Sequence, residues 1–426
     1  MGKTPQTMPR TPSDASGFQR TVLDNGVRVV TETIPSVRSI AVGAWVDAGS
    51  RDETPAENGI THFIEHLVFK GTRRRKGHHI NQRMESVGGY LNAFTSKEHT
   101  CFYARALDDH LARSLDTTLD LVTQPTLPPR EVEKEKEVVV EEIKMYEDAP
   151  EDHVFDHYED AMYPGHPLGR PVLGTPETVR SFTRADLADY MDRHYVPNRL
   201  VVSVAGHARH DDVVRLVEKQ LADFERDPHA VLREPAEAYA PVERQIEKPG
   251  MQQAHLVVGA RSFGALDDRR TALSVLNTIL GGGMSSRLNQ NIREKYGYCY
   301  SVYSFVNLVA ETGDVGVYMG TDPSRLDRAR QLIVRELAKL AETPVSARML
   351  KRAKEQLKGS VMLGIESMSN RMQRLGRVEL TFERHVTLDE ALQEVEAVTP
   401  EDVRDVAAEL FAEDRLSTIA LVPAEA

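Results

Sequence analysis

Residues 59–69, Gly-Ile-Thr-His-Phe-Ile-Glu-His-Leu-Val-Phe, constrain the fold more than any other stretch of the chain. Read as a helix, the stretch is apolar almost all round through Ile60, Phe63, Ile64, Leu67 and Val68, so it must be buried. His62, Glu65, His66 and Phe69 fall at i, i+3, i+4 and i+7, a single stripe of that helix. Titratable groups on a buried stripe are costly to desolvate alone, and a divalent cation offsets that cost. Two imidazoles four residues apart can bind one tetrahedral Zn²⁺ as neutral ligands. A glutamate beside them can take a proton from a water whose pKa the metal lowers to about 7. One histidine on an apolar face would read as a satisfied core residue, whereas two with this glutamate favour a metal.

Zinc needs a further protein ligand, and the helix expected over 130–146 is the best source. Its Glu and Lys run would ordinarily be a solvated face, but Val138-Val139-Val140 shows the helix turning inward ahead of Glu141-Glu142-Ile143. Glu135 and Glu142 are i, i+7 partners on one face, and Glu141 lies about 100° away. The expected ligands are therefore His62, His66 and Glu142. Glu135 is expected to hold a ligand histidine in the right tautomer.

The rest of the chain sets the frame. With 426 residues it exceeds one hydrophobic core, so two or more domains are expected. A net charge of −12 argues against nucleic acid and membrane as partners, and favours basic substrates if the acid lines a cavity. Two cysteines are too few for a disulfide framework, and no run suits a membrane span. Residues 1–17 are polar and lack the apolar core of a secretory signal; they are expected to be a disordered tail on a cytoplasmic protein. Strands are expected at 26–32, 39–47, 90–95, 100–106 and 200–205, with helices at 59–69, 80–87, 108–122, 130–146 and 210–224. The segment 227–250, rich in Pro and charge, is expected to be a linker between a first domain, 18–226, and a second, 251–426. The second half repeats the order of the first: a strand at 255–260, a helix at 269–280, a strand at 314–320, then Asp322-Pro323 opening a helix at 324–340. The fold class expected is α+β, two similar duplicated domains, each a mixed sheet with helices packed on it.

His62-x-x-Glu65-His66 with the distant Glu142 resembles the inverted zinc motif of the pitrilysin/insulinase peptidases. Within them it is similar to bacterial members related to the mitochondrial processing peptidase β-subunit. Gly59-Ile60-Thr61-His62, Phe69-Lys70-Gly71-Thr72, Glu141-Glu142-Ile143 and His166-Pro167-Leu168-Gly169 carry the same resemblance. It implies an endopeptidase of two α+β domains forming a clamshell chamber, with one zinc per chain on His62, His66 and Glu142 and with Glu65 as base. The positions aligned in the second half, 276–280, hold no metal motif.

The resemblance further implies that a peptide adds as a strand to the edge formed by Asn92, Ala93 and Phe94, with Asn92 contacting it near the zinc. It also implies that Arg293 and Tyr300 reach across the chamber, the phenol donating to the developing oxyanion. Because one chain carries both halves of such a site, a homodimer is implied. Two alternatives remain: an enzyme of the same chemistry with a narrower role, a processing peptidase that removes basic leaders, and one of another class, a non-catalytic scaffold or partner subunit. The scaffold fits poorly with a chain that keeps His62, Glu65, His66 and Glu142. A second histidine pair, His153 and His157 around Asp156, lies in a polar acidic stretch and reads as no metal site. The loop Gly281-Gly282-Gly283-Met284-Ser285-Ser286-Arg287 follows a helix and lacks the Lys-Ser/Thr ending of a phosphate loop, so nucleotide binding is not expected there.

Overall fold

The structure, a computed structural model, describes residues 17–224, 226 and 232–424. The tail expected over 1–17 lies outside them save for Gly17. Strands β1 (Phe18–Val22), β2 (Arg28–Thr33), β3 (Ser39–Val46), β4 (Tyr90–Thr95), β5 (Thr100–Leu107) and β6 (Leu200–Gly206) form one sheet, in the order β1-β2-β6-β3-β5-β4. Strands β7 (Glu243–Lys248), β8 (Ala254–Phe263), β9 (Cys299–Leu308), β10 (Thr312–Thr321) and β11 (Ser417–Pro423) form a second, β7-β11-β8-β10-β9. Matching β2, β6, β3, β5 and β4 to β7, β11, β8, β10 and β9 superposes the two orders. The first pair is parallel in both sheets and the remaining pairs are antiparallel. Two similar α+β halves are thus present, the first with one extra edge strand.

Both sheets are covered on both faces, which is why β3 and β6 read as continuous apolar runs rather than alternating ones. On one face of the first sheet lie the helices Ile60–Val68 and Leu111–Thr123, which join its residues in the main core. The other face, Val30, Ala41, Trp45, Val201 and Ala205, packs on Met372 and Leu375 of the helix Met368–Phe382, which comes from the second half of the sequence. The exchange is reciprocal: Val154 and Tyr158 of the helix Pro150–Met162 pack on Val257, Tyr318, Ile419 and Leu421 of the second sheet. Division into 18–226 and 251–426 therefore does not give two self-contained packing units. Each sheet borrows a helix from the other half.

The linker expected over 227–250 also needs correction. Positions 227–231 lie outside the described residues, and Glu243–Lys248 is a strand paired in parallel with β11. Its exposed edge position explains its charge, which hides the strand signal. Arg233 ahead of it is anchored on Asp47 (2.9 Å) and Asp52 (2.8 Å).

Close approach of the borrowed helix to the first sheet depends on Gly376, where a Cβ would run into the buried indole of Trp45. The indole of Trp45 is fixed by its Nε1 donating to Ser203 Oγ at 2.8 Å. Gly376→Ala is expected to lower unfolding free energy by about 1–3 kcal/mol through overpacking, more than the ~1 kcal/mol gained in helix propensity. Urea denaturation checks this, and an unchanged or raised midpoint would contradict it.

Candidate metal centre

The helix Ile60–Val68 starts where the sequence allows a sharp entry. Gly59 precedes it at φ 93°, a left-handed conformation that favours glycine. The first-turn amides are taken by Glu53: its carboxylate accepts from Gly59 N at 2.8 Å and Thr61 N at 2.9 Å, and from Asn58 Nδ2 at 3.2 Å. Burial pushes Glu53 up to about 7 against the pull of those bonds. This cap lies six residues ahead of Gly59 across a turn, so no local capping signal in the sequence marks it.

The helix holds His62 buried, with Glu65 and His66 partly buried beside it. The helix Pro129–Glu147 brings Glu142 against them. Glu142 Oε2 lies 3.4 Å from His66 Nε2 and 3.8 Å from His62 Nε2. One ligand atom from each of the three residues falls within 4.8 Å of the others. Ligands about 2.0–2.1 Å from a tetrahedral zinc stand roughly 3.3 Å apart, so the spacing and the N, N, O donor set fit zinc. Among the described residues this is the one cluster of three or more such groups.

Glu135, a buried residue two turns before Glu142, sits 3.0 Å from His66 Nδ1 and 2.7 Å from Lys70 Nζ. Burial raises the Glu135 pKa, but the bonds to His66 and Lys70 outweigh it and hold the carboxyl below its usual range. His66 is thereby held with Nδ1 toward Glu135 and Nε2 toward Glu142. Nδ1 of His62 is buried without a partner, so the chain does not fix that ring in the same way. Burial, then the charge of His66, pulls His62 down to about 4. Burial also opposes the charge on His66, but the hydrogen bonds to Glu135 and Glu142 push it up to about 9. A cation binding Nε2 of His66 would therefore compete with a proton there.

Glu65 is raised by burial, against the hydrogen bond from Thr95 and the nearby His66. Its Oε2 accepts from Thr95 Oγ1 at 2.6 Å. Thr95 ends β4, which closes the sheet order, so its other long edge pairs with no strand among the described residues. The expected substrate residues Asn92, Ala93 and Phe94 all lie on this edge strand. Asn92 Nδ2 donates to Tyr90 Oη at 2.6 Å, on the face opposite Ala93 and Thr95. Phe94 packs edge-on against Trp45 at 5.6 Å, so its side chain anchors the strand rather than pointing to solvent.

Arg293 and Tyr300 are brought together, the guanidinium 5.6 Å from the ring centre, and Arg293 also reaches Met284 Sδ at 3.1 Å. Tyr300 is 86% exposed. No hydrogen bond, ion pair or ring contact among the described residues joins either to His62, Glu65, His66 or Glu142. The pair His153 and His157 lies on the helix Pro150–Met162, where Glu151, Asp152 and Asp160 are exposed, Asp156 and Glu159 are half-buried, and Val154 and Tyr158 are buried. Lys248 Nζ stands 3.1 Å from His153 Nδ1, a poor neighbour for a cation.

Fold and site together define a class: an α+β chain whose first half clusters two histidines and a distant glutamate, with a second carboxylate on the same helix as the histidines, as metal-dependent hydrolases do. Residues 28–176 match the family model "Insulinase (Peptidase family M16)" and residues 181–357 match "Peptidase M16 inactive domain". The chain is 43% identical over 397 residues to an uncharacterized zinc protease of Bacillus subtilis, covering 93% of this chain and 96% of that one. It is 32% identical to a probable mitochondrial-processing peptidase subunit beta of Arabidopsis thaliana, over 95% of this chain and 78% of that one. A protease from Helicobacter pylori has the same fold, with a TM-score of 0.90 at 22% identity over 95% of this chain and 99% of that one. The chain belongs to the M16, or insulinase, family of peptidases, whose relatives here are named zinc proteases.

Proposed function

We propose that the protein is a zinc-dependent endopeptidase that hydrolyses peptides or unfolded segments laid along β4. The observation that carries this reading is the convergence of His62, His66 and Glu142 within 4.8 Å, with Glu65 beside them and tied to the free edge strand. Zinc, when bound, polarises a carbonyl and lowers the pKa of water to about 7. His62, His66 and Glu142 would hold it, one ion per chain. Glu65 would take a proton from the attacking water and return it to the leaving amine. The free edge of β4 would hold the peptide through backbone hydrogen bonds. The exposed Tyr300, with the half-buried Arg293 beside it, suits a contact made across a chamber or by a second copy, so a homodimer is part of this reading. Incubating the protein with a peptide mixture, with and without a chelator, tests it. Internal cleavages that vanish with the chelator support it; none in either arm would favour a non-catalytic partner subunit.

A cavity of about 560 Å³ next to the site supports basic substrates. Tyr146, one turn beyond Glu142, lines it with Glu147, Asp152, Asp156 and Glu159. Lys97 also lines it but is paired with Glu159 at 2.7 Å. Burial and then the neighbouring Glu159 push Asp156 up to about 6, with Asp152 and Glu147 adding to the effect. An arginine or lysine side chain entering the cavity would relieve that crowding. Asp152→Asn with Asp156→Asn is expected to raise KM for a basic peptide about tenfold, equivalent to 1.4 kcal/mol, and to leave a neutral peptide unaffected. Michaelis kinetics on the two peptides decide, and an equal rise for both would sink the assignment.

A further inference from the structure

We infer that Thr95 is a positioning residue for the general base, joining the strand that would carry the substrate to the carboxylate that would serve the reaction. The inference rests on the peptidase reading above and adds a residue to it.

A carboxylate can only accept, so Thr95 Oγ1 is the donor in its 2.6 Å bond to Glu65 Oε2. Hydrogen bonds from a neutral donor to a charged acceptor are short and strong. The other oxygen of Glu65 accepts no hydrogen bond from the described residues and is left for a proton in transit. Without Thr95, Glu65 would have three torsions and no partner to select among them. Thr95 itself is held from three sides. Its backbone is paired with Thr100 at the end of the β4–β5 ladder. On its own face of β4, Leu91 and Ala93 pack against the core that contains Phe63 and Ile64 of the helix Ile60–Val68. On the opposite face, Phe94 is locked against Trp45, Tyr103 and His99. The hydroxyl is therefore presented by a rigid strand end, and Glu65 takes its orientation from that strand. A peptide adding to the free edge of β4 and the carboxylate beside it thus share one frame. This gives Thr95 a purpose that its burial alone does not require: it is only partly buried, and a valine would fill the same space.

The test uses the full-length, zinc-loaded protein and the variants Thr95→Val and Thr95→Ser. The valine keeps shape and removes the donor; the serine keeps the donor. Thr95→Val is expected to keep its zinc content, its melting temperature within a few degrees, and KM for a quenched fluorescent peptide within about twofold. Its kcat is expected to fall about 10- to 100-fold, the range set by losing a hydrogen bond to a charged group and by misplacing a base. Thr95→Ser is expected to recover most of that loss. In a Glu65→Gln background, Thr95→Val is expected to add little, because the two act as a unit. A crystal structure of Thr95→Val gives a readout independent of turnover: the Glu65 carboxylate is expected to shift by about 1 Å or occupy a second rotamer. Parental kcat in Thr95→Val, a loss confined to KM, a serine no better than the valine, or an unmoved Glu65 would each overturn the role. Absence of cleavage by the parent protein would instead count against the peptidase reading, and the position of Glu65 would still decide on Thr95.

Discussion

Glu65→Gln protein is expected to bind zinc like the parent and to turn over peptide about 10²- to 10⁴-fold more slowly, the range that a positioned general base contributes. Retention of metal follows from the geometry, since the group of ligand atoms within 4.8 Å is His62, His66 and Glu142 and does not include Glu65. The loss of rate follows from chemistry, because an amide of the same size keeps the hydrogen bond from Thr95 but cannot take a proton. KM is expected to change little, as the edge of β4 and the acidic cavity are untouched. Stopped-flow or discontinuous assays at saturating peptide, with metal measured on the same sample, check both halves. If the glutamine variant matched the parent in kcat, the base would have to be another group.

Glu142→Gln is expected to abolish zinc retention. It removes a charged oxygen that stands 3.4 Å from His66 Nε2 and 3.8 Å from His62 Nε2, leaving two histidines as the whole ligand set. After dialysis against a weak chelator, zinc per chain is expected to fall to near zero. The contrast with Glu135→Gln is informative. Glu135 touches His66 through Nδ1, away from the other ligands, so its loss should weaken zinc binding by only about 10- to 100-fold, as for other groups that orient a ligand histidine. Competition titrations with a zinc-binding dye measure both. Equal losses in the two variants would show that Glu135 binds the ion directly.

Most of the candidate site could be read from the sequence because it lies on two helices whose periodicity is unambiguous. The stripe of His62, Glu65 and His66 and the i, i+7 relation of Glu135 to Glu142 survive any uncertainty about helix ends. Placement of Glu142 between the two histidines, by contrast, was an expectation about tertiary packing that spacing alone could not supply. Thr95 and Glu53 were not legible for the same reason: each acts through a contact made 30 and 8 residues away from its partner, across a turn or a sheet. The strands β3, β6, β8 and β10 announce themselves by β-branched residues, and β5 by Thr100, Phe102 and Tyr103. The edge strands β1 and β7 do not, since Gln19, Arg20 and Thr21 in one and Glu243, Arg244 and Gln245 in the other leave no alternating apolar face. The helix exchange was hidden for a different reason. Met372 and Leu375 sit among Arg371, Arg374 and Arg377, and Val154 and Tyr158 among acids and histidines, so neither stretch shows a broad apolar face. Nothing local states that the sheet they cover belongs to the other half.

The central claim is that this chain hydrolyses peptide bonds through one zinc held by its first half. The most direct measurement is the rate of peptide cleavage as zinc is titrated back into chelator-stripped protein, with bound zinc counted on the same samples. The account predicts that activity starts near zero and rises linearly until about one zinc is bound per chain. Cleavage by the stripped protein at the full rate, or one zinc bound with no cleavage of any peptide, would contradict it.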